Sequence, residues 1–302
     1  MKILVFGAGA IGSLFGGLLS KNNDVVLIGR KPHVDAINKK GLKIKGKTNS
    51  RLRLPAFNSV KEIRFSPDII IISVKSYDTD AAAEQIKHLV ADKTGVMSLQ
   101  NGLGNIEKIC KHINKKNIIA CVTTHGAVFL KSGTIIHTGV GKTTIGEING
   151  IKSERIVKIA QIFNQAGIKT SINKNIQEEI WIKAIINSSI NPLTTFFNCK
   201  NGYLDKNPVL KKLVERICKE STLIANSNGL NLDYEEMIDK TFDVISDTSE
   251  NFSSMLQSYN QEKRTEIDSI NGVFVEIGKK NNVSNLLNKI LMDFIKEKKR
   301  FL

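Results

Sequence analysis

The amino-acid sequence predicts an α/β fold in residues 1–170, followed by an all-helical region in residues 171–302. Through the first region, short runs rich in Ile and Val, bounded by Gly, Asp or Asn, alternate with helical patterns. This alternation is typical of a parallel sheet with helices on both faces. From about Ile176 onward strand signals vanish, and long helical patterns continue to the end of the sequence.

Five apolar runs predict buried strands, and the stretches between them predict helices. The strand runs are KILVFGAG, DVVLIG, DIIIISV, GVMSL and NIIACV, and the helix-like stretches include AIGSLFGGLLSK and DTDAAAEQIKHLVA. The stretch GAVFLKSGTIIHTGVGKTTIGE changes this rhythm, because its short strands and glycine turns predict an antiparallel extension.

The glycine pattern GAGAIG follows the first strand directly and opens the first helix. In this context G-x-G-x-x-G is typical of a Rossmann-like dinucleotide-binding domain, here residues 1–170. Gly7 permits the tight turn, Gly9 lets the backbone approach a pyrophosphate, and Gly12 allows close helix packing. The alternative is a glycine-rich turn without a ligand. The expected cofactor-binding residues are Gly7, Ala8, Gly9, Ala10, Ile11 and Gly12.

The end of the second strand favours NADP(H) over NAD(H). In DVVLIGRK no Asp or Glu stands where an NAD enzyme holds the ribose 2′-hydroxyl, and Arg30 and Lys31 stand there instead. An Arg fork suits a 2′-phosphate, whereas the alternative is a solvated basic turn. Lys75 and Asn101 follow two further strands, at the edge where ligands bind in open α/β sheets. A lysine in such a place is often only a solvated cap.

Composition and charge exclude several classes of protein. No stretch approaches the ~18 apolar residues of a membrane span. The N-terminus MKILVFGAGAIG resembles a signal peptide only superficially, because its short apolar run continues into the glycine pattern. The four cysteines show no CxxC or metal-like spacing, which indicates reduced thiols in the cytoplasm and no metal site. They are Cys110, Cys121, Cys199 and Cys218.

The net charge of +15 raises the hypothesis of nucleic-acid binding. However, the lysines are scattered, with no basic run longer than KEKKR near the C-terminus and no aromatic interleaving. We therefore expect no nucleic-acid partner, since anionic small ligands explain a basic surface equally well.

The stretch WIKAIINSSINPLTT predicts a helix that is apolar almost all round. Its apolar residues recur at helical intervals from Trp181, and Pro192 is expected to end or kink the helix. Lys183, Asn187 and Asn191 fall at i, i+4 and i+8, which makes one narrow polar stripe. We expect this stripe to line a cleft between the two domains. A lysine alone can snorkel to water, but buried amides need hydrogen-bond partners that a ligand can supply.

A hydride donor needs an acceptor, and reduction of a C=O group is the simplest chemistry for this chain. Hydride arriving at carbon leaves an alkoxide, which must be protonated or stabilised as it forms. The ammonium of Lys183 is the candidate proton donor, because the histidines are scattered and none lies in the helical region. They are His33, His88, His112, His125 and His137.

Six blocks of the sequence carry a family pattern. They are GAGAIG, SVKSYDT, QNGLGN, TTHGA, WIKAIINSSINPLTTFFNCKNG and SSMLQSYNQEKRTEIDSING. Together they resemble the ketopantoate reductase (2-dehydropantoate 2-reductase) family, and the similarity runs from Lys2 to about Gly278. The resemblance implies NADPH-dependent reduction of 2-dehydropantoate to pantoate, a step toward pantothenate (vitamin B5) and coenzyme A.

The resemblance also implies roles for particular residues. Lys183 matches the general acid, and Glu266 in TEID matches the acidic residue at the nicotinamide and substrate end. The implied substrate contacts are Asn101, Lys183, Asn187, Asn191, Asn201, Asn251 and Ser254, of which the last two match the group that binds the carboxylate. The implied cofactor contacts are Lys75, Asn101, Ala127 and Glu266.

Some of these assignments have simpler alternatives. Glu266 follows Thr265 in the first turn of a predicted helix, where carboxylates favour the dipole. An ordinary helix cap also explains Asn251 and Ser254. Ser258 stands where many family members have Asp, which leaves the chemistry of that loop open.

Rival functions remain open at this point. A related reductase of the same fold would act on another 2-oxoacid. A non-catalytic NADP(H)-binding sensor would retain the glycine pattern without needing Lys183 and Glu266 together. We expect a cytoplasmic enzyme with a small-molecule substrate, either a monomer or a homodimer, with no nucleic-acid and no membrane partner.

Overall fold

The structure, a computed structural model, describes residues 1–297. The last three residues of the basic run KEKKR lie outside the described residues. The chain divides into two compact units. Unit 1 comprises Met1–Gln100 and Asn105–Glu179, and unit 2 comprises Asn101–Gly104 and the residues from Ile180 onward.

The strands all lie in unit 1 as far as the described residues go, and they form an eight-stranded and a four-stranded sheet. They are β1 (Lys2–Phe6), β2 (Asp24–Ile28), β3 (Leu42–Gly46), β4 (Ser50–Leu52), β5 (Ala56–Phe57), β6 (Ile69–Ile72), β7 (Gly95–Ser98), β8 (Ile118–Thr123), β9 (Gly126–Lys131), β10 (Thr134–Gly139), β11 (Thr143–Glu147) and β12 (Thr170–Ile172). The boundary predicted between residues 170 and 171 falls inside β12.

The larger sheet has the strand order β12-β11-β8-β7-β6-β1-β2-β5. Every pair in it is parallel except β8 with β11, which is antiparallel. The chain order reverses at β1, which pairs with β2 on one side and with β6 on the other. Such a reversal is the switch point at which open α/β sheets bind ligands. The predicted α/β fold with a dinucleotide-type sheet is confirmed.

Alternate residues of the central strands face two separate cores. Ile69 and Ile71 pack in a cluster with Phe15 of the first helix, whereas Ile70 and Ile72 pack in a cluster with Ala83 and other residues on the opposite face. A parallel strand covered by helices on both faces must be apolar at every position, and IIII meets this requirement.

The smaller sheet has the order β4-β3-β10-β9. The antiparallel pairing expected in GAVFLKSGTIIHTGVGKTTIGE is present in two places. Strands β9 and β10 form an antiparallel hairpin in this second sheet, and β11 adds to the main sheet antiparallel to β8. The two short strands β3 and β4 carry no strong apolar run, and the sequence did not predict them.

The helices of unit 1 are α1 (Ala10–Leu19), α2 (Lys31–Lys40), α3 (Thr79–Ile86), α4 (Asn105–Cys110) and α5 (Glu154–Gln165). Helix α6 (Ile176–Phe197) begins in unit 1 and continues in unit 2. The further helices of unit 2 are α7 (Tyr203–Lys206), α8 (Pro208–Ser227), α9 (Tyr234–Asp247), α10 (Ser254–Asn260), α11 (Val273–Lys280) and α12 (Leu286–Glu297), with a π-helical turn (Asp268–Gly272) directly before α11. The predicted all-helical C-terminal region is confirmed for the described residues.

Of the two outcomes expected at Pro192, an end of α6 is wrong, because the helix continues through this residue to Phe197. A proline inside a helix cannot donate to the carbonyl four residues earlier, which here is that of Ser188. Another element supplies the missing donor, since the side-chain amide of Asn271 donates to the Ser188 carbonyl oxygen at 3.1 Å.

Among residues 1–297, no helix combines the length and apolar character that a membrane span requires.

Candidate active site

The glycine pattern that follows β1 contains three glycines, and at two of them a larger residue would clash with the surrounding chain. Gly7 has φ +112°, and a Cβ there would lie 2.6 Å from the backbone nitrogen of Val74. A Cβ on Gly12 would overlap the carbonyl oxygen of Gly7. Gly9 is different, because its φ of −77° suits any residue and a Cβ there would meet nothing closer than 3.9 Å. The chain itself does not require glycine at position 9, so the open space there fits the approach of a ligand.

The N-terminus of α1 is prepared for an anion. Its N-cap is Gly9, which has no side chain to cap the helix, and its first turn contains no acidic residue. The first N–H groups of any helix lack intrahelical acceptors, and here these belong to Ala10, Ile11 and Gly12. Together with the positive end of the helix dipole, they fit the pyrophosphate of a dinucleotide.

Arg30 and Lys31 differ in their availability at the end of β2. Arg30 is the N-cap residue of α2 and is exposed; its carbonyl accepts the N–H groups of His33 and Val34, whereas its guanidinium has no partner among the described residues. Lys31 forms a surface ion pair with Asp35 at 3.3 Å. Such exposed i,i+4 pairs are weak, so both cations can meet a phosphate, but the free fork of Arg30 is the better candidate.

The other predicted cofactor residues divide between the two units. Lys75 is half-buried and follows β6 in unit 1, where the strand order reverses. Ala127 lies in β9 of the second sheet, opposite His137. Asn101 belongs to unit 2, because its loop packs on the π-helical turn, where the Leu103 N–H donates to the Ser269 carbonyl at 2.9 Å.

The first two residues of the polar stripe of α6 are more open to solvent than the other residues from 184 to 195 on the helix. Lys183 and Asn187 are half-buried, and Asn191 is 5% exposed, whereas every other residue from 184 to 195 is buried. At a rise of about 1.5 Å per residue, the stripe extends about 12 Å from Lys183 to Asn191. The helix therefore presents an ammonium and two amides along one line.

A hydrogen bond ties the end of the stripe to the loop that precedes α10. Thr194, in the turn after Asn191, donates its hydroxyl to Ser253 Oγ at 2.8 Å. Ser253 is the N-cap of α10, because its Oγ also accepts the Leu256 N–H at 3.2 Å. The capping alternative for Ser254 thus fails, since Ser254 is the first residue of α10 and its side chain is exposed.

Asn201 and Asn251 are brought together by the backbone. The Asn201 N–H donates to the Asn251 carbonyl at 3.0 Å, and the Asn201 side-chain amide donates to Thr248 Oγ1 at 2.8 Å. Asn201 is 7% exposed, and Asn251 is exposed. Asn251 and Ser254 are therefore both exposed, whereas the Nδ2 atom of Asn201 is engaged by Thr248 at the end of α9.

Glu266 lies immediately before the helical residues that lead into the π-helical turn. Its backbone carbonyl accepts the N–H groups of Ser269 and Ile270, both at 3.0 Å. The residue is only 7% exposed, which distinguishes it from a solvated carboxylate at a helix start. Ser269 also receives the Leu103 N–H, so the loop of Asn101 and the segment of Glu266 are neighbours in unit 2.

Three residues that order the site were not predicted individually. Thr194, Ser253 and Asn271 lie inside the quoted blocks, yet no spacing rule distinguishes the capping Ser253 from its neighbour Ser254. Ser258 takes a local role, because it is buried and donates to the Ser254 carbonyl at 3.0 Å. Within residues 1–297, no three His, Cys, Asp or Glu side chains are grouped as metal ligands.

The histidines of the chain lie in unit 1. His33, His125 and His137 are buried in hydrogen-bonded positions, and the His112 ring nitrogens lie 3.2 Å from Asp80 Oδ1 and 2.7 Å from Glu84 Oε2. The proton donor predicted in unit 2, Lys183, is therefore not a neighbour of any histidine in the sequence of that unit.

Comparison with known proteins connects both halves of the chain to one family. The model described as "Ketopantoate reductase PanE/ApbA" matches residues 3–150, and the model described as "Ketopantoate reductase PanE/ApbA C terminal" matches residues 175–299. The chain belongs to the ketopantoate reductase family. The family predicted from the sequence blocks is thus confirmed.

Relatives of this family resemble the chain over its whole length. The 2-dehydropantoate 2-reductase of Pyrococcus abyssi is 43% identical over 99% of this chain and 98% of its own. Among solved structures, a ketopantoate reductase from Ralstonia eutropha JMP134 is 26% identical with a TM-score of 0.91, and each chain is covered completely. A D-mandelate dehydrogenase with NADH and anilino(oxo)acetate is 28% identical with a TM-score of 0.94, covering 100% of this chain and 99% of its own.

Proposed function

We propose that this member of the ketopantoate reductase family reduces 2-dehydropantoate to pantoate with NADPH, in the biosynthesis of pantothenate and coenzyme A. The observation that carries the proposal is the line of Lys183, Asn187 and Asn191 on a helix whose other residues from 184 to 195 are buried. The 43% identity to a 2-dehydropantoate 2-reductase supports the choice of substrate. We assign cofactor binding to residues 1–170 and substrate binding to residues 171–302.

The chemistry divides between the bound cofactor and the side chains of unit 2. NADPH, when bound, supplies a hydride to the ketone carbon. The ketone oxygen gains negative charge as the hydride arrives, and the ammonium of Lys183 donates a proton to it. Glu266 carries a carboxylate at the same end of the substrate, where it holds a ligand hydroxyl or amide by accepting a hydrogen bond.

The remaining polar residues bind and orient the substrate. Asn187 and Asn191 donate amide hydrogen bonds to it, and their fixed positions on α6 lower the entropy that must be lost in the reaction. The exposed side chains of Asn251 and Ser254 donate to the substrate carboxylate. Asn101 and Asn201 complete the proposed set of substrate contacts.

The preference for NADPH rests on Arg30. Its guanidinium is exposed at the end of β2, with no partner among the described residues and no acidic residue in the first turn of α2. A carboxylate that would favour a ribose 2′-hydroxyl is absent from DVVLIGRK. Lys31, Lys75 and Ala127 supply further proposed contacts to the cofactor.

A second candidate function is an NADH-dependent reduction of another 2-oxoacid to a 2-hydroxyacid. It is favoured by the likeness to D-mandelate dehydrogenase with NADH, at a TM-score of 0.94. The two candidates share the proton donor and differ in cofactor and substrate. Steady-state rates with each combination of NADPH or NADH and 2-dehydropantoate or phenylglyoxylate separate them.

The test of the proposed mechanism is Lys183→Ala in the purified protein, assayed by oxidation of NADPH with 2-dehydropantoate. General acid catalysis is worth roughly 10²–10⁴ in rate, so we expect kcat to fall by about that factor. NADPH affinity and melting temperature should remain unchanged. Lys240→Ala is the matched control, because it removes a half-buried lysine that pairs with Glu236 on the same helix, at 2.7 Å. A folded Lys183→Ala protein that keeps more than about a tenth of the kcat would place the proton donor elsewhere.

A further inference from the structure

The polar stripe of α6 contains a local defect in the helix backbone. Pro192 has no N–H, so the Ser188 carbonyl lacks the donor that it would have in a regular α-helix. Ser188 follows Asn187 directly and lies one turn before Asn191. The defect therefore coincides with the part of the helix that we assign to substrate binding.

Asn271 compensates for the defect from the π-helical turn. Its side-chain amide nitrogen donates to the Ser188 carbonyl at 3.1 Å and to Asn288 Oδ1 at 2.9 Å, and the residue is fully buried. Both contacted atoms are acceptors, so the nitrogen and not the oxygen of the amide must face them. The orientation of the Asn271 amide is thus determined by its surroundings.

The partner Asn288 is itself held in a fixed orientation. Its Nδ2 donates to Glu220 Oε1 at 3.0 Å and to Ser221 Oγ at 3.1 Å, which turns its Oδ1 toward Asn271. Glu220 also accepts the backbone N–H of Asn288 at 2.9 Å at the start of α12. Buried networks of this kind hold their members rigidly when the donors are matched to acceptors.

The π-helical turn relates Asn271 to Glu266. Glu266 precedes the turn Asp268–Gly272, and its backbone carbonyl accepts the N–H groups of Ser269 and Ile270, both at 3.0 Å. Asn271 follows Ile270 directly and lies inside the turn. Because Asn271 contacts α6 at Ser188, these hydrogen bonds connect the backbone of the Glu266 segment to α6.

We propose that Asn271 is a positioning residue, which anchors the Glu266 segment to the polar stripe of α6 through the carbonyl that Pro192 leaves without a donor. This inference rests on the proposed function, because it gives Glu266 and the stripe their roles in the reduction. π-Helical turns occur often at functional sites, and here the turn carries Asn271 five residues after Glu266.

The test uses Asn271→Ala, Pro192→Ala and the double variant. Asn271→Ala should lower both the melting temperature and kcat, the latter by about tenfold or more, since small displacements of a reacting group cost up to ~10²-fold. Pro192→Ala introduces an N–H that can bond to the Ser188 carbonyl. In the double variant we expect the melting temperature to return toward that of Pro192→Ala alone, while kcat stays at least about tenfold below it.

A double variant that regains kcat together with melting temperature would overturn the proposal, because Asn271 would then serve stability alone. One that regains neither would also overturn it, because the Ser188 carbonyl would not be the group that Asn271 serves. Thr241→Val is the control for stability, since this buried hydroxyl donates within α9 to Met237. This variant should lower the melting temperature and leave kcat unchanged.

The proposed function and this inference can fail separately. A wild-type protein that reduces no 2-oxoacid would refute the proposed function and this inference with it. The inference alone is refuted when the wild type is active and the variants behave in one of the two contrary ways.

Discussion

The buried pair His125 and His137 should make the stability of unit 1 depend on pH. His125 Nδ1 lies 3.2 Å from His137 Nε2, which also lies 3.0 Å from the Gly139 carbonyl oxygen, and Thr48 Oγ1 lies 2.9 Å from His137 Nδ1. Because a carbonyl only accepts, this network assigns the hydrogen to His137 Nε2 and makes His125 Nδ1 an acceptor. Protonation of His125 would place a second hydrogen between the two rings.

The free energy needed to protonate His125 in the folded chain determines how strongly stability depends on pH. Burial, and then the neighbouring His137, lower the pKa of His125 from 6.5 to about 4. Burial also lowers the pKa of His137, against the opposing hydrogen bond to Gly139. In the unfolded chain His125 takes up its proton near pH 6.5, whereas in the folded chain it does so only near pH 4. The contribution of His125 to stability is therefore complete above pH 6.5 and is lost progressively as the pH falls to about 4.

The difference of about 2.5 pH units corresponds to an upper bound of roughly 3 kcal/mol in the free energy of unfolding, since one unit is about 1.4 kcal/mol. For a domain of this size, that amounts to a shift of about 6–12 °C in melting temperature. Carboxylates titrate over the same range, so the informative quantity is the difference between wild type and a variant that lacks His125.

Scanning calorimetry between pH 8 and pH 4.5 on wild type and His125→Leu measures this difference. We expect the melting temperature of His125→Leu to fall less steeply with acidification than that of the wild type. His88→Leu is the matched control, because His88 is exposed, and its curve should run parallel to that of the wild type. Parallel curves for wild type and His125→Leu would refute the assignment of the pH dependence to His125.

Three further predictions concern the proposed binding residues. Gly9→Ala should lower NADPH affinity in a titration while leaving the melting temperature unchanged, whereas Gly12→Ala should lower the melting temperature, because its Cβ would overlap the Gly7 carbonyl. Arg30→Ala should raise the KM for NADPH by the equivalent of about 1.5–3 kcal/mol and leave that for NADH unchanged; equal effects on both cofactors would show that Arg30 does not discriminate. Ser254→Ala should raise the KM for the 2-oxoacid without changing NADPH affinity in calorimetry, and loss of NADPH binding instead would contradict the assignment.

The parts of the fold that the sequence predicted are those specified by strong periodic patterns. The run IIII predicts a buried strand and the glycine pattern predicts a turn before a helix, and the structure has both, as β6 and as the turn between β1 and α1. Strand β4, with the sequence SRL, has no apolar alternation, and it forms because β3 lies beside it. Pairing of that kind is a tertiary property, so local sequence carries little sign of it.

The candidate site shows the same division. The stripe of α6 follows from helical spacing, but the identity of the cap at Ser253 depends on the Thr194 hydroxyl, which another helix supplies. The burial of Glu266 likewise depends on how the segment with the π-helical turn packs, and no spacing in TEID encodes a turn with one extra residue.

The continuation of α6 through Pro192 shows what a rule based on local sequence leaves out. Proline is costly within a helix because a carbonyl loses its donor, and the cost falls when another element provides one. Asn271 provides it from the π-helical turn, so α6 continues and the stripe keeps its register to Asn191. The same hydrogen bond that removes the cost also connects the segment of Glu266 to the helix of Lys183. Pro192, a residue that usually breaks helices, thus explains why Asn271 contacts α6, and Asn271 is the side chain that we propose as the anchor between α6 and the Glu266 segment.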